Sequence, residues 1–157
     1  MGAGGKLAAL SAFFERWRDQ LESRALVRFE VGTPSQAVLT ASAKAEAFAG
    51  PSGFKPIGFN WEMLDPGEDL SAPRSARKAI VDALTTDLVD YKMRWISDET
   101  ALRFAGDFLA PFDPSTLWVV TNHLNGLWYP ISGASDEWSF AAMDDDVIAL
   151  LVLVPRS

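Results

Sequence analysis

The chain has 157 residues, 48% hydrophobic and 22% charged, with a formal net charge of −7, one histidine and no cysteine. That mixture supports a packed core and lies far from the composition of disordered chains. Lack of cysteine excludes disulfides and thiolate metal centres, a single histidine excludes a histidine-rich zinc site, and the apolar run 147–154 is far short of the roughly twenty residues that a membrane-spanning helix requires.

At the start, Gly2, Ala3, Gly4, Gly5 and Lys6 superficially resemble a phosphate loop, but the preceding strand, the full spacing and the Ser or Thr for magnesium are missing. The segment reads as a flexible end. The apolar residues 7–14 after Lys6 imitate a secretion signal until Glu15, Arg16, Arg18 and Asp19 interrupt them, so the expected location is the cytoplasm. Leu7, Leu10, Phe14, Trp17 and Leu21 recur every three or four residues and predict an amphipathic helix. The period then changes to two. Val27, Phe29 and Val31 alternate with Arg28 and Glu30, predicting a half-buried strand that Gly32, Thr33 and Pro34 end.

The alanine-rich stretch 35–50 predicts a second helix with Val38, Ala41, Ala45 and Phe48 on one side. Four prolines and three glycines between 51 and 73 predict irregular loops and one short strand. Ser71 is placed to cap a third helix starting near Pro73, with Ala76, Ile80, Leu84 and Leu88 as its buried stripe and Arg74, Arg77 and Lys78 near its beginning. Ser97 caps a fourth, with Asp98 and Glu99 in its first turn, Leu102, Phe104, Ala105, Phe108 and Leu109 on its apolar side, and Pro111 beyond its end. Strands are predicted at 117–121 and 127–132, joined by a hairpin loop at 122–126. A last strand at 147–154 is almost wholly apolar and belongs in the interior of a sheet. The fold class expected is α+β, a single domain over residues 1–157 with a mainly antiparallel sheet of four to five strands and three to four helices packed on one face.

Charge is unevenly spread. Residues 1–103 are almost balanced, whereas residues 104–157 hold seven acidic side chains against Arg156 alone. Asp136 and Glu137 on one side, and Asp144, Asp145 and Asp146 on the other, bracket Trp138, with Trp128 and Tyr129 close by in sequence. Rigid aromatics beside carboxylates suit a protein partner with a basic surface, since charge steers the encounter and aromatics anchor the contact. The scarcity of Lys and Arg there argues against direct binding of nucleic acid.

Catalysis by a triad would rest on His123, with Ser132, Ser135 or Asp136 as possible neighbours, but no nucleophile elbow is present. A carboxylate pair could be drawn from Glu62, Asp65, Glu68, Asp69 and the later acidic groups. The run Asp144, Asp145, Asp146 lacks the alternating ligands and glycine of a calcium loop, so neither metal nor cofactor is expected. In general character, the size, acidity, lack of cysteine and helix-then-hairpin order are similar to those of small immunity proteins that neutralise bacterial toxins. The expectation is a noncatalytic cytoplasmic binding module of immunity or antitoxin type, using Trp128, Tyr129, Asp136, Glu137, Trp138, Asp144, Asp145 and Asp146. A small hydrolase using His123 or a carboxylate pair, and a structural or assembly protein, are the alternatives.

Overall fold

The computed structural model describes residues 2–85, 96–124 and 127–156. Two helix-strand steps come first: α1 (Ala3–Glu22) into β1 (Ala25–Gly32), then α2 (Ala41–Ala49) into the short β2 (Glu62–Leu64). Helices α3 (Ala76–Thr85) and α4 (Asp98–Leu109) follow, and the rest is strand: β3 (Trp118–Thr121), β4 (His123–Leu124), β5 (Leu127–Trp128), β6 (Trp138–Met143) and β7 (Ile148–Pro155). Five strands form one antiparallel sheet in the order β1-β7-β6-β3-β2, and β4 with β5 makes a separate small hairpin. This is the α+β arrangement expected. Among the described residues no helix is long and apolar enough to cross a membrane.

The sheet is covered on both faces. Helices α1, α3 and α4 pack on one, against Val119, Phe140, Ala142, Ala149, Leu151 and Leu153. Helix α2 and the loop bearing Phe54 and Trp61 cover the other, against Val120, Ala141, Leu150 and Val152. This explains the unbroken apolar run of β7: an interior strand buried on both sides has no solvent face to encode as polar alternation. Ala41, Ala45 and Ala49 line the buried side of α2, where small side chains let the helix come close to the sheet. The Glu46 carboxylate of the same helix accepts from the Ile57 N–H at 2.9 Å and from the Trp61 indole at 2.8 Å, tying the following loop down.

Several local readings are corrected by tertiary contacts. The glycine-rich start is not a loose end, because Ala3 to Lys6 is the first turn of α1 and Lys6 is buried. Phe13, outside the predicted stripe, is fully buried against Phe29, Phe104 and Phe108, while Leu7, Phe14 and Trp17 are only partly covered. Helix α2 begins at Ala41 rather than at Ser35, since the Thr40 hydroxyl accepts from the Ala43 N–H and fixes the start there. Ser75, not Ser71, caps α3; residues 70–74 form turns, with Arg74 in the left-handed region at φ of 59°, the bridge between Asp65 and Ser75 fixes the helix start after them, and Ser71 bonds to Asp69 instead. Leu102 lies on the exposed side of α4, though Ser97 caps that helix as predicted. Leu88 and the loop residues Asn125 and Gly126 lie outside the described residues.

The largest difference concerns strands. Of 127–132 only Leu127 and Trp128 are paired, because Pro130 has no N–H to offer a ladder and Gly133, with φ of 89°, turns the chain back. The third long strand is β6, which the sequence hides: buried on both faces, with two alanines and a serine, it shows neither alternation nor strong β propensity.

Candidate functional site

His123 and Trp128 face each other across the β4–β5 hairpin. Their rings stack at 5.6 Å and 25°; the His123 ring lies 3.4 Å from that of Trp138 at 10°, and Trp138 lies 5.7 Å from Phe140 at 6°. Phe140 is fully buried in the core beneath α1, α3 and α4. Four near-parallel rings thus run from the core to the surface, ending at Trp128 and Leu127, which are 40% and 61% exposed. The Trp128 indole N–H donates to the Ser135 carbonyl at 2.7 Å, and the Tyr129 N–H donates to the Asn122 carbonyl at 2.8 Å. An exposed tryptophan is therefore held in one orientation.

Glu137 holds the support of this stack together. Its side chain is fully buried, and its carboxylate accepts from the Ser132 N–H at 2.7 Å, the Ile131 N–H at 2.9 Å, the Asn122 amide at 3.0 Å and the Ser139 hydroxyl at 2.6 Å. Asn122 in turn accepts from the Ser139 N–H at 2.9 Å. The carboxylate thereby fastens the excursion between β5 and β6 to the end of β3. The expectation that Glu137 is a surface contact is corrected: with its lone pairs met from inside, it has none to present outward.

Asp144 is corrected in the same way. It sits at the β6–β7 turn with its side chain wholly buried, accepting from the Asp113, Asp146 and Val147 N–H groups and from the Lys6 ammonium at 2.8 Å. Burial opposes its ionisation, but the Lys6 ammonium and the three backbone donors outweigh that penalty and hold the carboxyl below its ordinary range. Lys6 also pairs with Asp146 at 2.7 Å, and the two carboxylates raise its pKa above the ordinary lysine range. Asp145 and Asp146 are exposed, but at the opposite end of β6 from Trp138, about 17 Å away for a strand of this length. The acidic and aromatic residues that adjoin in sequence are thus split between two places. Trp128, Tyr129, Asp136 and Trp138 gather at one end of β6; Asp145 and Asp146 stand at the other, near the exposed indole of Trp118 and a cleft of about 270 Å³ that also touches Gln36 and Lys44.

The hydrolytic alternative draws little from this geometry. His123 Nε2 lies 3.0 Å from the Glu137 carbonyl oxygen, an acceptor, so the proton resides on Nε2. Burial keeps the imidazole below its ordinary range, outweighing the opposite pull of Glu137. Ser132, Ser135 and Asp136 make no hydrogen bond to this ring among the described residues. Glu62 on β2 is paired with Arg74, while Asp65 accepts from the Gly67 N–H and Asp69 accepts from Ser71 within their own loop. Arg77 donates to the Gly67 carbonyl and Lys78 pairs with Asp82, so the basic start of α3 is engaged locally as well.

Leu127 is the residue at the outer end of the stack absent from the sequence-based candidates. His123, expected there as a possible base, lies as a spacer between two indoles. Leu127 carries a readable signal, a large apolar side chain directly after the Asn125-Gly126 pair in the sequence. Comparison with known proteins returns no matching family model, no matching curated protein and no matching solved structure.

Proposed function

We propose that the protein is a noncatalytic protein-binding module of the cytoplasm, and that it meets its partner with the outer end of the aromatic stack. The supporting observation is the immobilised, exposed indole of Trp128, backed by His123 and Trp138 and flanked by Leu127. An aromatic anchor already fixed in its bound orientation loses little side-chain entropy on binding, which is how a small contact gains affinity. Tyr129 and Asp136 lie beside the anchor, and the chain's net charge of −7 favours a partner whose apolar pocket has a basic rim. An immunity or antitoxin role is the narrower form of this reading, supported by size and acidity.

Binding of the partner purified from the native host supplies the test. Trp128→Ala is expected to weaken affinity at least about thirtyfold, equivalent to about 2 kcal/mol, mainly through faster dissociation. Asp145→Lys, at the far end of β6, is expected to change only the association rate and its salt dependence. Unchanged affinity in a Trp128→Ala protein that retains its circular dichroism spectrum would remove the reading.

A further inference from the structure

Strand β1 ends the sheet, and no strand of the described residues pairs with its other side. Edge strands are ordinarily short, bulged or interrupted by proline to discourage pairing between molecules. None of these devices is present in β1, which runs eight residues in unbroken register with β7, from Ala25 opposite Pro155 to Gly32 opposite Ile148. Val27, Phe29 and Val31 pack toward α1 yet remain only half-buried, so the core is left open along this edge. Its two charges, Arg28 and Glu30, are of opposite sign, lie on the same face of the sheet and already pair with each other at 2.8 Å.

We propose that a second copy of this chain pairs antiparallel with β1 about a two-fold axis through Phe29, joining the two sheets into one. A two-fold axis perpendicular to the sheet keeps each face on its own side, so opposed residues must share parity. Three registers then preserve most of the overlap. Centring on Arg28 opposes two arginines, and centring on Glu30 opposes two glutamates; both are destabilising. Centring on Phe29 places Arg28 against Glu30 of the other copy twice over, at the 4.5–5.5 Å Cβ separation usual for opposed residues. The same register sets Leu26, which is 56% exposed, opposite Gly32. A side chain on Gly32 would come within 2.7 Å of Phe48, so the glycine leaves the Phe48 ring as a surface on which Leu26 of the other copy packs. The two copies of Phe29 meet on the axis, each beneath its own Phe14, whose ring stacks on it at 4.9 Å. This contact is independent of the aromatic hairpin.

Charge exchange tests it with the full chain. Sedimentation or light scattering of the wild type at about 100 µM should give twice the 17.2 kDa mass of one chain. Arg28→Glu and Glu30→Arg should each associate at least about tenfold more weakly, because each opposes like charges. An equimolar mixture of the two should dimerise again, since every opposed pair is then complementary, and the double variant Arg28→Glu/Glu30→Arg should dimerise alone. Amide exchange at residues 25–31 should slow with increasing wild-type concentration. A monomeric wild type overturns the proposal and leaves the edge to a strand of a different protein. Single variants that associate like the wild type, or a mixture that stays monomeric, overturn it equally.

Discussion

A carboxylate taken out of water is costly unless its lone pairs are met, and Glu137 meets that condition with four donors. Replacing one oxygen by an NH2 group turns an acceptor into a donor that faces other donors. Glu137→Gln is therefore expected to destabilise the fold by about 2 kcal/mol, read as a lower urea midpoint at unchanged slope. A midpoint within experimental error of the wild type would mean that the carboxylate does not organise the loop. The neighbours Asp136 and Glu137 illustrate the limit of reading residues singly. They are chemically alike and adjacent, yet one is half-exposed and the other fully buried, because Glu137 lies at the point where the chain enters β6. Composition named the residue types of the candidate site, and Trp128 proved exposed; it could not separate Glu137 and Asp144 from the carboxylates that face solvent.

At the scale of elements, periodicity was informative wherever one face meets solvent. β1 alternates as predicted, α4 falls at its expected place, and α1 does so with the glycine-rich start added as its first turn. Where both faces are buried the pattern fades, which is why β6 was hidden while β7 was recognisable only by its unbroken run of branched apolar residues. Helix α2 shows the opposite effect: alanine content identified a helix, but the reason for the alanines is the close approach to the sheet. Ala45 is nearly wholly buried in the cluster between α2 and the sheet. Ala45→Leu is expected to lower stability by about 2 kcal/mol through overpacking, measured by thermal or urea unfolding. An equally stable variant would show that α2 rests loosely on the sheet.

At the scale of the whole molecule, Lys6 joins the first turn of the chain to the β6–β7 turn across 138 positions of sequence. The pH dependence of this tie follows from the two shifts. Asp144 has a lowered pKa, so its contribution is present above the ordinary value of 3.8 and is lost as pH falls through the folded value. Lys6 has a raised pKa, so its contribution is present below 10.5 and is lost as pH rises through the folded value. Lys6→Met should unfold at a lower temperature than the wild type between about pH 5 and 10, with the gap narrowing below pH 4 as Asp144 takes up a proton. A gap that is constant with pH would show that the lysine acts by packing alone. The sequence by itself determined the helix and strand types over most of the chain, the α+β class and the interior place of β7, because those follow from local periodicity and the solvent exposure it encodes. Only the tertiary structure decided that Lys6 would neutralise carboxylates at the far end of the chain, that β6 would complete the sheet, and that the aromatic residues would align as a stack. Each of these depends on which distant segments share one face, and no local pattern of side chains records that.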